Sequence, residues 1–151
     1  MQVYGKPYRV GLTNVSMSAL RTILEITAPS NRICVVTDAE ITQLNSETST
    51  QEGLEWIRKS VAGTGTSGTI VGTQPNAGAS GSTARYNCTA EGTVTDVFPA
   101  QGFNIVSGYR FQPLPTGFLV IPPSGILGIR WQAAPEAAID VCGWIEFVEV
   151  G

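Results

Sequence analysis

No stretch of about twelve residues in this chain carries an apolar stripe at helical spacing; instead, short runs of β-branched and aromatic residues are broken by clusters of Gly, Pro, Ser and Asn. Strands of that kind become stable only by burying one face against a second layer, so the sequence predicts an all-β domain. A chain of 151 residues with 42% hydrophobic content needs only one core. Charged residues make up 14% of it, well below the usual quarter, and Gly, Ser and Thr supply much of the remaining surface.

Individual segments can be placed. Arg21–Ala28 alternates in part and is stopped by Pro29-Ser30-Asn31; Ile33, Val35, Thr37, Ala39 and Ile41 then mark one face of the next run. These two segments are expected to pair through the short turn. Leu54–Ala62 reads as a third strand, and Arg85–Glu91, Thr93–Phe98 and Gly108–Pro113 as later ones. Phe118–Ile121 and Ile126–Trp131 flank Pro122-Pro123-Ser124-Gly125, where proline presets φ and glycine tolerates positive φ, so a hairpin is expected there. In the final run, Ile139, Val141, Ile145 and Phe147 share a face that reads as core. Asp140, Cys142, Trp144 and Glu146 share the opposite face, which is open to a partner. About eight strands at irregular spacing, closing on a long C-terminal strand, predict a jelly-roll-type antiparallel β-sandwich with one long Gly-rich loop. Residues 1–20 form an N-terminal arm or a first strand, the two readings being equally open, and residues 21–151 the β-sandwich domain containing loop 63–84.

Within that stretch, Gly63-Thr64-Gly65-Thr66-Ser67-Gly68 satisfies the pattern G-x-G-x-x-G. A dinucleotide site needs those glycines where a strand meets a helix, because the helix N-terminus holds the pyrophosphate. The glycines and Pro75 that follow cannot sustain a helix, at about 1 kcal/mol per interior glycine and about 3 for proline. The match is therefore accidental, and the segment is expected to be a flexible loop. The chain has no histidine, which excludes Ser-His and Cys-His dyads. Asp38 with Glu40, and Asp140 with Glu146, are alternating carboxylates expected on a solvated face, and no acidic loop has calcium-site spacing. Cys34, Cys88 and Cys142 are odd in number and widely separated, as expected of buried or half-buried thiols. No catalytic residue, cofactor or metal site is expected. A net charge of −3 with nine Lys and Arg argues against a nucleic-acid partner, no apolar run is long enough to cross a membrane, and no secretory signal opens the sequence, so the chain is expected to stay where it is made. Trp56, Trp131 and Trp144 with Phe103, Tyr109 and Phe111 could stack on sugars, but residues on separate strands more often pack the core.

Trp56 to Thr66, Thr89-Ala90-Glu91-Gly92-Thr93, Gly102-Phe103-Asn104-Ile105, Pro122 to Ile126 and the ending Glu146 to Gly151, in that order and spacing, resemble small proteins encoded among the structural genes of tailed bacteriophages. The resemblance runs from about Arg21 to Gly151. It implies a jelly-roll head decoration or cement protein, made in the host cytoplasm and placed on the capsid surface of the virion. Such a protein assembles as a dimer or trimer and stabilises contacts between major capsid protein subunits. The N-terminal segment and the Gly-rich stretch are then the expected protein interface, with Val3, Tyr4, Tyr8, Thr66, Ile70, Val71, Pro75 and Asn76 as its candidate residues. The alternative is a receptor- or glycan-binding β-sandwich module of a phage tail or fibre.

Overall fold

A computed structural model describes residues 5–45 and 49–151, and the described chain is a two-sheet antiparallel β-sandwich. Its thirteen strands are β1 (Lys6–Met17), β2 (Thr22–Thr27), β3 (Ile33–Gln43), β4 (Gln51–Val61), β5 (Thr64–Ser67), β6 (Ile70–Gly72), β7 (Thr83–Ala90), β8 (Thr93–Val97), β9 (Gln101–Asn104), β10 (Tyr109–Phe111), β11 (Leu119–Ile121), β12 (Ile126–Trp131) and β13 (Ile139–Val150). A single 3₁₀ turn, Pro115–Gly117, stands among them. Sheet I has the order β10-β3-β13-β1-β6, with β11 also on β3; sheet II has the order β5-β7-β2-β12-β4-β8, with β9 also on β4.

Thirteen strands replace the expected eight, for two physical reasons. First, β8 and β9 pair with successive parts of β4, and β10 and β11 with successive parts of β3, so each pair is one interrupted edge strand. Second, β5, β6 and β7 are an insertion at the far edges. Without that insertion the order is β1-β13-β3-β10/β11 against β2-β12-β4-β8/β9, the two facing four-stranded sheets of a jelly roll. The first strand lies beside the last, so residues 6–17 belong to the sandwich itself.

Both expected hairpins are absent. The Pro122–Gly125 turn forms, with Gly125 N–H donating to Pro122 C=O at 2.8 Å and Ser124 at φ 59°. It joins β11 of sheet I to β12 of sheet II, however, and the Pro29-Ser30-Asn31 turn likewise carries the chain from β2 to β3. Each turn crosses from layer to layer, because both flanking segments have an apolar face to bury and the sandwich buries these faces against each other. In β3 the expected face Ile33, Val35, Thr37, Ala39 and Ile41 is also corrected. The β3–β13 register slips between Val36 and Asp38, so Cys34 and Val36 point into the core together with Ala39 and Ile41. A bulge at Thr37 switches the period.

The core between the sheets holds Tyr8, Val10, Met17, Ile23, Leu24, Ile26, Trp56, Ile129, Trp131, Val141, Ile145 and Phe147 among others. Phe103 stacks on Trp131 at 6.4 Å, and Trp56 donates its indole N–H to the hydroxyl of Tyr109 at 3.2 Å. Burial raises the pKa of the Tyr109 phenol.

Candidate functional site

Part of the stretch expected to be loop 63–84 is built into the sheets, as β5, β6 and the start of β7, while residues 73–82 run outside any strand. β5 pairs with β7 at the outer edge of sheet II; the chain then turns at Gly68-Thr69, and β6 pairs with Tyr8, Arg9 and Val10 at the outer edge of sheet I. One continuous segment thus closes one side of the sandwich. Its glycines are there for close approach rather than for ligand binding. A Cβ at Gly65 would sit 2.6 Å from the carbonyl oxygen of Tyr86, and one at Gly63 would sit 2.9 Å from Cys88 Sγ. The G-x-G-x-x-G match is a strand seam.

Two buried polar clusters fasten this insertion. In the first, Lys59 donates to Glu25 at 2.7 Å and to Thr22 Oγ1 at 2.8 Å, with Glu91 at 3.4 Å. Gly63 N–H donates to the second oxygen of Glu25 at 2.9 Å, and Thr22 donates its hydroxyl to Glu91 at 2.6 Å. These bonds tie the start and the end of the insertion to β2 and β4. Cys88 is buried beside them, and burial, reinforced by the nearby Glu25 charge, pushes its thiol up to about 12, so it is not a nucleophile at neutral pH. In the second cluster, the Glu149 carboxylate accepts from the hydroxyls of Ser80 and Ser82 at 2.5 and 2.7 Å, from Ser82 N–H at 3.0 Å, and from Arg32 at 3.0 Å. Burial alone would raise its pKa, but these bonds outweigh burial and hold it at about 2.

The outward face of sheet I is different in kind. Trp144 on β13 is approached by two guanidiniums from opposite flanks: Arg9 of β1, 4.0 Å from the ring centroid, and Arg110, carried beyond β3 on β10, at 4.9 Å. Arg9 pairs with Glu146 at 2.7 Å, and Arg110 with Asp38 at 2.6 Å and Glu40 at 2.5 Å. Of the alternating carboxylates in the sequence, Asp38, Glu40 and Glu146 are thus anchors for arginines. Beside this ladder lies a cleft of about 600 Å³ lined by Leu12, Thr69, Val71, Thr73, Gly143 and Trp144. It is bounded by β6, so the insertion builds one wall.

The candidate residues scatter accordingly. Thr66, Val71, Pro75 and Asn76 are exposed, Val71 at 60%. Ile70 is half-buried and packs on the core. Tyr8 is corrected: it is fully buried, 5.8 Å from the ring of Phe147, and its hydroxyl donates to Ala77 C=O at 3.0 Å, because it lies on the inward phase of β1. Val3 and Tyr4 lie outside the described residues. Among the described candidates, only Val71 stands with Trp144 at the cleft. Arg9 and Arg110 escaped sequence reasoning, since nothing local marks two arginines 101 positions apart as neighbours of one tryptophan. Glu25 did leave a signal, as a lone charge inside the apolar run Ile23-Leu24-Glu25-Ile26, whereas Lys59 stands beside Arg58 and nothing local marks it as the buried one of the two.

Comparisons with protein-family models, with curated proteins and with solved structures returned no match.

Proposed function

We propose that this chain is a structural virion protein, a decoration or cement protein that binds the outside of a tailed-phage head as a homo-oligomer and stabilises contacts between major capsid protein subunits. The observation that carries the reading is the outward face of sheet I. There a ladder of Arg9, Trp144 and Arg110 adjoins a cleft with Val71 exposed at its wall, on a jelly-roll frame. Arginine and tryptophan held in place by their neighbours lose little entropy on contact and are the residue types that dominate interfaces. Repetition over a symmetric lattice multiplies weak single contacts. The glycan-binding alternative draws less support: Trp56 and Trp131 are core residues, and both flanks of the Trp144 ring are occupied by arginines.

The test is rebinding of the purified chain to heads of a tailed phage that encodes it, prepared without it. Saturable binding that raises the heat stability of the heads is expected, with Val71→Asp and Trp144→Ala each weakening it at least about tenfold while the fold, checked by circular dichroism, is kept. Failure of the folded wild-type chain to bind such heads would overturn the reading. Deletion of residues 66–80 is a poor probe, because it would remove β6 and the contacts of Tyr8 and Glu149.

A further inference from the structure

The cluster around Lys59 holds more than an ion pair requires. The side chains of Lys59 and Glu25 are 0% and 1% exposed, with Nζ 2.7 Å from Oε2. Their strands are not neighbours: β12 lies between β2 and β4, and opposite Glu25 it carries Gly128. A Cβ there would lie 3.1 Å from the Cβ of Glu25, so the glycine leaves the space over which the two long side chains meet. The other oxygen of Glu25 receives the N–H of Gly63 at 2.9 Å. A second carboxylate, Glu91, lies 3.4 Å from Nζ and is held by Thr22, whose backbone N–H and hydroxyl donate to its two oxygens at 2.5 and 2.6 Å. An amine, an acyl group and an oxyanion donor therefore converge in a buried place, with a proton carrier, Glu91, at its partly exposed rim.

We propose that Lys59 and Glu25 are the partners of an intramolecular isopeptide cross-link that the folded chain forms in itself. Transfer of one proton from Nζ to Oε2 across their 2.7 Å contact leaves a neutral amine facing a neutral acid. Nζ attacks Cδ of Glu25, forming the N–C bond, and the oxyanion that develops on Oε1 is held by Gly63 N–H. Glu91 takes the second proton from nitrogen and returns it to the Oε2 hydroxyl, which departs as water when the C–O bond breaks. The three protons of the ammonium end as one on the amide and two on the water. Glu91 is regenerated, and nothing is oxidised or reduced. Fixed proximity of amine and acyl carbon corresponds to an effective concentration of about 10⁵ M or more, and exclusion of water favours condensation over hydrolysis. The product joins β2 to β4 across β12 beneath the crossings of the insertion, and it stands or falls independently of the adhesive role.

Intact-mass spectrometry of the full chain, folded, incubated at neutral pH and then denatured, tests this. The expected mass is one water below that of the sequence, with a peptide map that joins Glu25 to Lys59. Glu25→Ala and Lys59→Met should restore the full mass, and Glu91→Gln, which keeps the size of the side chain, should slow the water loss at least about tenfold. Full sequence mass in the folded wild-type protein after prolonged incubation overturns the proposal. So does a water deficit that maps elsewhere, such as an ester between Thr22 and a carboxylate. The wild-type measurement decides even where a variant does not fold.

Discussion

Glu149 occupies an inward position of β13, two residues beyond Phe147, where strand alternation calls for another apolar side chain. A carboxylate is stable there because hydroxyls and amides from residues 80–82 converge on it, so the residue fastens the insertion to the last strand. Its ordinary pKa of 4.5 falls to about 2 in the folded chain. A depressed carboxylate stabilises the fold fully above its unfolded pKa, and that contribution disappears as pH falls from about 4.5 toward about 2. Stability measured by urea unfolding is therefore expected to decline over that window, and Glu149→Gln should flatten the decline while costing about 1–3 kcal/mol at neutral pH. An unchanged pH profile in the variant would remove Glu149 from this role. The sequence showed only an acidic residue in a terminal strand; its donors from residues 80–82 lie 67 to 69 positions earlier and Arg32 lies 117 earlier.

Among the elements, the final strand was legible, and the turns were legible in position but not in destination. The alternation of Ile139, Val141, Ile145 and Phe147 against Asp140, Trp144 and Glu146 is the alternation seen, because one face of β13 meets the core and the other solvent. The Pro-Pro-Ser-Gly and Pro-Ser-Asn turns were correctly placed as turns, but a turn preference does not say whether the next strand joins the same sheet or the opposite one. The first part of the glycine-rich stretch misled for a related reason. Composition reports flexibility, whereas Gly63, Gly65 and Gly68 are required because β5 lies closely against β7 and near Val10. Replacing Gly65 by Val, which β-propensity alone would favour, is expected to destabilise by about 1–3 kcal/mol, read as a lower thermal midpoint, since its Cβ meets backbone at 2.6 Å. A neutral or stabilising result would show that the β5–β7 seam is looser than described.

At the scale of the molecule, β1 lies between β13 and β6, and β13 lies between β1 and β3, so the two ends of the chain close the centre of sheet I. Most contacts join residues distant in sequence, a topology that commits late in folding. A chain ending at residue 138 is therefore expected to show no cooperative unfolding transition, because β1 and β3 lose their common partner. In the full chain, hydrogen exchange should be slowest in β13, β12 and the strands beside them, and fastest in the interrupted edges β8/β9 and β10/β11. Fast exchange in β13 would contradict this strand order.

The sequence by itself determined that the chain is all-β, which face of the last strand is buried, and where the chain turns. Each of these follows from local steric preference and from the two-residue period of a strand. Tertiary structure alone decided which strands are partners, that the first part of a glycine-rich stretch adds an edge strand to each sheet, and that Arg9 and Arg110 meet at Trp144 and Glu25 meets Lys59. Those contacts join positions far apart in the chain, and their free energy exists only once two layers have excluded the water between them.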